Sequence, residues 1–230
     1  MGLTVACVQV GNYEGRGAEY VNKLYLMARR NITLPFRFAC LTDDASGYLS
    51  DVDAISVPTD IRNIKGWFSK LCLFMPGVFP KGERVFYLDL DTVIVGNIDD
   101  FACYDGFFAG LGDFRSFRLF GSGVMLWEAG TVDHLWTEWV RQNHPLGDGA
   151  DDTWIGQQEP KAVRIQRKLD GIVSYKFHKC RDAPPKGARI CVFQRRPKPH
   201  ECGDATEAGY ATITVPTTFT TGLGPIATLY

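Results

Sequence analysis

The sequence predicts an α/β protein with a mostly parallel central sheet flanked by helices. Short apolar runs bounded by turn residues recur through the first half of the chain, as buried strands do. Segments with apolar residues at helical spacing lie between these runs, and strands that alternate with helices form parallel sheets covered on both faces. The 230 residues are 45% hydrophobic and 13% aromatic, which is enough to bury one large core.

The first half contains four predicted strands and two predicted helices. They follow in this order: strand 3–10, helix 18–30, strand 36–41, strand 52–57, helix Gly66–Phe74 and strand 84–90. Valine is frequent in the first run, and Gly11 follows its end. In the first helix, Val21, Leu24 and Ala28 recur at helical spacing. The run RVFYLDL at 84–90 is the most regular of the strands.

The second half is more mixed. A short strand is predicted at 123–127 and a helix at Asp151–Gln158, which has two acidic residues in the first turn, where the helix dipole favours them. Between them an amphipathic helix is predicted by apolar residues at helical spacing: Val132, Leu135, Trp136, Trp139 and Val140. We expect its tryptophans in the core.

Proline, glycine and threonine become frequent from residue 184 onward, so loops and short strands are expected there. We predict one domain over residues 1–202 and an irregular C-terminal extension over 203–230.

Charge and cysteine usage predict a cytoplasmic protein. The net charge of -1 gives no global attraction to nucleic acid or to an anionic membrane. The first residues lack the features of a signal peptide, and no apolar stretch approaches the roughly 20 residues that cross a bilayer. The seven cysteines are odd in number and lie mostly within apolar runs, which favours buried, reduced thiols over disulfides.

The pair Asp89 and Asp91 is the sharpest chemical feature. Residues two apart on a strand point to the same side, so both carboxylates are presented to one place. Like charges at the end of an apolar strand are unfavourable unless a cation or hydrogen-bond donors compensate them. Hard oxygen ligands favour Mg²⁺ or Mn²⁺, whose open positions accept substrate phosphates. The alternative is a strand-terminal turn that happens to contain two acids.

The segment YLDLDTVIVGNID resembles the DxD segment of the GT-A-fold glycosyltransferases, in particular the retaining group with glycogenin and the bacterial lipopolysaccharide galactosyl- and glucosyltransferases. Four further segments follow the order of that family: WFSKL at 67–71, GSGVMLW at 121–127, DDTWI at 151–155 and KPH at 198–200. Each fragment is short, but their common order makes the resemblance specific.

The resemblance implies a GT-A, Rossmann-like fold and transfer of a hexose from a nucleotide-diphosphate sugar, with UDP as the expected nucleotide and Mn²⁺ or Mg²⁺ as the cofactor. It makes Asp91 a metal ligand, and Asp89 a ligand that also meets the donor ribose. Lys198 would neutralise the donor diphosphate, and Lys70 would be a second cation beside it. The same resemblance implies retention of the anomeric configuration.

The remaining site residues are implied in the same way. Asp151 and Asp152 would lie beside the anomeric carbon or the acceptor. Val8, Tyr13 and Asp43 occupy the positions at which this family holds the nucleoside base.

Four positions depart from the family pattern. Val192 stands where a histidine usually supplies the third metal ligand, six residues before the lysine. Arg195 and Gly121 replace a glycine and an asparagine, and Asp152 replaces a glutamine.

The third metal ligand is therefore left open among three residues: His178, Gln194 and His200. We favour His200 because it is close to Lys198 in the chain.

Two other functions stay open. One is a sugar-nucleotide hydrolase or nucleotidyltransferase that also uses paired carboxylates, although no glycine-rich phosphate loop supports the latter. The other is a degenerate, non-catalytic module that binds a nucleotide sugar, as Val192 and Arg195 suggest. The acceptor is also open: a glycan, a protein, a small molecule or a modified base of nucleic acid. The basic run 195–198 suits a phosphorylated or nucleic-acid acceptor, but the donor diphosphate explains it better.

Overall fold

The computed structural model describes residues 2–58, 66–145 and 150–202. Its strands are β1 Leu3–Gln9, β2 Arg37–Thr42, β3 Val52–Ser56, β4 Arg84–Leu88, β5 Val93–Ile94, β6 Phe108–Gly112, β7 Phe120–Glu128, β8 Val163–Arg164, β9 Ile172–Ser174 and β10 Ile190–Val192. The helices are α1 Gly17–Asn31, α2 Asp99–Ala102, α3 His134–Arg141 and α4 Asp151–Gln158. Three 3-10 helices span Gly66–Phe74, Ile165–Arg167 and Pro199–Glu201.

Seven strands form the central sheet in the order β3-β2-β1-β4-β7-β6-β8. The first four of these are parallel, whereas β7 runs antiparallel to both β4 and β6. At the far edge β6 and β8 are again parallel. The predicted mostly parallel sheet of an α/β fold is therefore confirmed.

The inner strands of the sheet are buried on both faces, which explains why they are continuous apolar runs rather than alternating ones. Along β4, Phe86 and Leu88 belong to the core on one face, and Val85 and Tyr87 to the core on the other. Helix α1 covers the first face with the apolar side of its predicted helical repeat. The 3-10 helix Gly66–Phe74 and α3 cover the second face.

A second, three-stranded sheet has the order β5-β10-β9. Strand β5, which begins two residues after Asp91, pairs antiparallel with β10. Strand β10 in turn pairs parallel with β9. The small sheet returns the C-terminal segment to the end of β4, beside the acidic pair.

The helices contain the predicted residues, but they differ from the prediction in the burial of two side chains and in the type of one helix. Trp139 is fully buried and stacks on Phe68, whereas Trp136 is partly buried and Val140 is 42% exposed. The segment Gly66–Phe74 is a 3-10 helix rather than an α-helix. None of the described helices is long and apolar enough to cross a membrane.

All seven cysteines lie within the described residues as thiols, and five of them are buried, as expected. The predicted extension 203–230 lies outside the described residues, so the domain boundary at 202 stays a prediction.

Candidate functional site

A cleft of ≈ 890 Å³ opens at the carboxyl ends of β1 and β4. Ligands of open α/β sheets bind at this edge, beyond the ends of the parallel strands. Eight predicted site residues line the cleft: Val8, Tyr13, Lys70, Asp89, Asp91, Asp151, Asp152 and Lys198. The topology thus gathers residues that are distant in sequence into one place.

Asp89 follows β4 directly and is held by neighbouring groups. Its Oδ1 accepts hydrogen bonds from the Tyr87 hydroxyl at 2.5 Å and lies 2.9 Å from Lys70 Nζ. A β-carbon on Gly123 would lie 3.1 Å from Asp89 Oδ2, so this glycine leaves room for the carboxylate. The side chain of Asp89 is 35% exposed. Asp89 is therefore anchored through one oxygen and faces the cleft.

Lys70 is a buried cation that joins three elements. Its ammonium lies 2.9 Å from Asp89 Oδ1 and 3.2 Å from Asp151 Oδ2, and it donates a hydrogen bond of 2.9 Å to Ser122 Oγ. Burial alone would lower the pKa of Lys70, but the charges of Asp151 and Asp89 outweigh it and raise that pKa. Lys70 therefore stays charged and pairs with both carboxylates.

Asp91 is more deeply buried than Asp89, with 5% of its surface exposed. The Lys198 ammonium donates to its Oδ2, and the Tyr13 hydroxyl hydrogen-bonds to it as well. Burial raises the pKa of Asp91, and the charge of Asp89 raises it further, although Lys198 opposes both effects. The two carboxylates are therefore close enough to repel each other.

Helix α4 contributes two carboxylates from its first turn. Asp151 is 2% exposed and paired with Lys70, so it supports the site from inside. Asp152 is half-buried and lines the cleft. Burial, with a smaller contribution from Asp151, raises the pKa of Asp152 above its usual range.

Two predicted residues lie outside the cleft wall. Both oxygens of Asp43 accept from the backbone N–H of Gly11, at 3.0 and 3.1 Å, and this holds the loop after β1 in place. His200 forms a 2.6 Å hydrogen bond with Tyr20 through Nδ1, and its Nε2 lies 3.5 Å from Glu14. His200 is not among the residues that line the cleft with Asp91.

The other two candidates for a third metal ligand differ in position. Nδ1 of His178 accepts from the backbone of Ser174, and this histidine does not line the cleft. Gln194 lines the cleft, as does the buried Val192. Gln194 is thus the only one of the three candidates on the cleft wall.

The oxygen donors fit a small divalent cation. Magnesium is often held by one or two carboxylates together with substrate phosphates, and Asp89 and Asp91 provide two. Their mutual repulsion is what a bound cation would relieve, and the Lys198 ammonium already places positive charge on Asp91. Within the described ranges, no three His, Cys, Asp or Glu side chains are grouped to form a complete protein cage.

Tyr87 and Ser122 belong to the site, although the sequence analysis did not assign them a role. Tyr87 lies two residues before Asp89, so the same spacing argument that pairs the aspartates could have found it. Ser122 contacts Lys70 across 52 residues of sequence, and only the fold reveals that contact.

No protein-family model matches the chain, and a search of the curated proteins finds no match. Among solved structures, the galactosyltransferase LgtC in complex with donor and acceptor sugar analogs is similar at 16% identity and a TM-score of 0.61, over 94% of this chain and 98% of LgtC. The glycosyltransferase GlyE of Streptococcus pneumoniae TIGR4 is 14% identical with a TM-score of 0.58, over 93% of this chain and 62% of GlyE.

Mouse xyloside xylosyltransferase 1 is also similar, at 14% identity and a TM-score of 0.51, over 83% of this chain and 97% of that protein. At these identities the likeness establishes the fold. The chain therefore has the GT-A fold that the motif order predicted.

Proposed function

We propose that this chain is a glycosyltransferase that transfers a hexose from a UDP-sugar, with Mn²⁺ or Mg²⁺ held by Asp89 and Asp91. The observation that carries the proposal is the cleft itself, where two carboxylates and two lysines meet at the carboxyl edge of the sheet. The likeness to LgtC, described in complex with donor and acceptor sugar analogs, supports the same use of this edge.

The donor would lie across the ends of β1 and β4. Val8 and Tyr13 would face the nucleoside, and Lys198 would neutralise the diphosphate. Lys70 acts from behind Asp89, since its ammonium is buried between the carboxylates of Asp89 and Asp151. A divalent cation bound by Asp89 and Asp91 would supply further positive charge beside the departing diphosphate.

In the reaction, an acceptor hydroxyl oxygen attacks the anomeric carbon from the face that the diphosphate leaves, and its bond to that carbon forms as the bond from the carbon to the diphosphate oxygen breaks. The electron pair leaves with the diphosphate, and the hydroxyl proton must pass to a base. Asp152 suits this role because it lines the cleft and its pKa is raised. Among the described residues it forms no salt bridge. Retention of configuration is supported by the order of the motifs.

A donor-binding experiment tests the proposal directly. UDP with Mn²⁺ should raise the melting temperature by about 5–10 °C at a concentration near 100 times the Kd, because only the folded state binds. UDP alone should give a smaller shift, since Asp89 and Asp91 then repel the diphosphate. The proposal is wrong if no nucleotide shifts the melting temperature, with or without metal.

The pH dependence of transfer tests the role of Asp152. Because its pKa is raised, this carboxylate becomes protonated and inactive at a higher pH than an ordinary aspartate does, so kcat/KM should increase as the pH rises through that raised pKa. Asp152→Asn should lower kcat by about 10²–10⁴ and remove that acidic limb. Asp182→Asn, an exposed change away from the cleft, is the matched control. An unchanged limb in the Asp152 variant would assign the base elsewhere.

The second candidate function is a non-catalytic module that binds a nucleotide sugar. The observation that favours it is Val192, an apolar residue 4% exposed, on the cleft wall where a metal ligand would be expected. A module would bind UDP-sugars but leave them intact with every acceptor. A sugar-nucleotide hydrolase would instead release UDP and free sugar without any acceptor.

A further inference from the structure

We infer that the acceptor of this site carries a phosphate ester, which three cations on one wall of the cleft bind. These cations are Arg115, Lys176 and Arg195. The inference rests on the proposed transferase function and names the class of its acceptor. It is carried by the packing that brings the three residues together, by the lack of ion-pair partners for them among the described residues, and by the strained backbone of Arg195.

The first two cations come from segments that pack on each other. The rings of Phe114 and Phe177 stack with centroids 6.2 Å apart, and Arg115 and Lys176 are their neighbours in the chain. Both cations are exposed and line the cleft. The aromatic stack therefore fixes two charges from distant parts of the sequence on one wall.

Arg195 joins the same wall through a second stack. The rings of Tyr175 and Phe193 lie 4.6 Å apart, and Ser174 Oγ donates to Gln194 Oε1 at 3.4 Å. The segment that carries Lys176 is thus held against the segment that carries Arg195. Three loops converge, and each contributes one cation to the cleft.

These three charges are not neutralised as the other cations of the cleft are. Lys70 and Lys198 form salt bridges with aspartates, whereas none of the three does so among the described residues. The acid nearest to Arg115 in sequence is Asp113. Its Oδ1 accepts hydrogen bonds from the backbone N–H groups of Arg115 and Ser116, at 2.7 and 3.1 Å. An anionic ligand would supply the missing partner, and arginine matches phosphate oxygens in a bidentate manner.

Arg195 has a φ of 64°, in the left-handed region that favours glycine. A non-glycine residue there carries a conformational cost, and such costs persist mostly where the side chain has a function. Because the donor diphosphate already faces Lys198, the additional charge of Arg195 suits a second anion in the cleft.

Two exposed aromatic residues indicate that the phosphate is attached to a ring. Trp67 is 69% exposed and Phe177 is 47% exposed, and both line the cleft. Exposed aromatic faces stack on sugar and base rings. The volume of ≈ 890 Å³ lies at the upper end of the ~300–1,000 Å³ typical of ligand sites, which leaves room for an acceptor beside the donor.

The test compares phosphorylated and neutral probes on protein whose donor site is saturated with UDP and Mn²⁺. Calorimetry would measure the Kd of glucose 6-phosphate against glucose, and of thymidine 5′-monophosphate against thymidine. At least one phosphorylated probe should bind tenfold or more tightly than its neutral counterpart. If the sugar pair shows the preference, the acceptor is a sugar phosphate. If the thymidine pair shows it, the acceptor is a nucleotide.

The double variant Arg115→Gln/Lys176→Gln should lose that preference at least tenfold, while its Kd for UDP stays within about twofold of the parent. Arg195→Gly should also lose it, with an equal or higher melting temperature because the backbone strain is relieved. Lys161→Gln, an exposed lysine outside the cleft, should behave as the parent.

The possible outcomes distinguish failure of this inference from failure of the proposed transferase function on which it rests. A parent protein that binds UDP but prefers neither phosphorylated probe overturns the inference alone. An increase of more than about threefold in the Kd for UDP in the variants also overturns it, because the cations would then belong to the donor diphosphate. A parent that binds no nucleotide overturns the proposed function, and the inference with it.

Discussion

Asp91→Asn is expected to lower donor turnover by at least about 10³-fold. The change removes a charged oxygen from the pair that would hold the metal, so the departing diphosphate loses stabilisation that matters most in the transition state. The free energy of unfolding should change by less than about 1 kcal/mol. Burial and Asp89 already disfavour the ionised form of Asp91, and an asparagine oxygen still accepts from Lys198.

The measurement is UDP release from UDP-sugars with Mn²⁺, for the parent and for Asp91→Asn, with and without candidate acceptors. Asp53→Asn is the matched control, because Asp53 forms only an exposed salt bridge with Arg37 at 3.3 Å. Equal UDP release by the parent and the Asp91 variant would show that this carboxylate does not support the chemistry.

Lys70→Met is expected to lower the free energy of unfolding by about 3–5 kcal/mol at pH 7, as loss of one member of a buried ion pair does. Asp151 is 2% exposed and lies 3.2 Å from the Lys70 ammonium. Without that cation its charge would be buried with neither an ion-pair partner nor water around it. Methionine keeps the length of the side chain, and the effect is therefore one of charge rather than of packing. Urea denaturation of both proteins measures the difference.

A second substitution tests whether this loss arises from the unpaired charge of Asp151, which is buried beside Lys70. Adding Asp151→Asn to Lys70→Met should recover part of the loss at pH 7. Lys161→Met, at an exposed position, serves as the control. A loss below about 1 kcal/mol at pH 7 would contradict the description of Lys70 as a buried, obligatory cation.

Local sequence patterns predicted the elements in which the buried residues recur at the period of the helix or strand itself. Helix α1 and strand β1 fall within one residue or so of the predicted bounds, and α4 coincides with its prediction. In each case the buried positions follow the period of the element, so the sequence alone contains the signal.

The strands at the β6–β8 edge of the sheet were not predicted, because contacts with other segments, rather than a pattern in their own sequence, determine where they form. In β6, a β-carbon on Gly110 would lie 2.3 Å from the ring of Phe120, and one on Gly112 would lie 2.6 Å from Phe117. Glycine occurs there because aromatic rings cover the backbone, whereas glycine in isolation indicates a turn. The two-residue strands β5 and β8 have no periodicity of their own.

The site was predictable where its residues share a strand or helix turn. Spacing on β4 predicted Asp89 and Asp91, but the contacts of Lys70 with Asp151 and Ser122 span long stretches of chain. His200 is predicted as a metal ligand from its proximity to Lys198 in the chain, and this role stays a prediction. It follows Lys198 closely, yet in the 3-10 helix Pro199–Glu201 its ring points to Tyr20 while Lys198 reaches Asp91.

The pairing of Lys198 with Asp91 has a consequence for synthesis on the ribosome. The two residues are 107 positions apart, and strand β10 must dock on β5 before they meet. At about 5–20 residues per second, translation needs roughly 5–20 s to pass from one to the other. Lys70, which pairs with Asp89 in the finished fold, is already synthesised during that interval, whereas the cleft can be completed only after the late segment emerges.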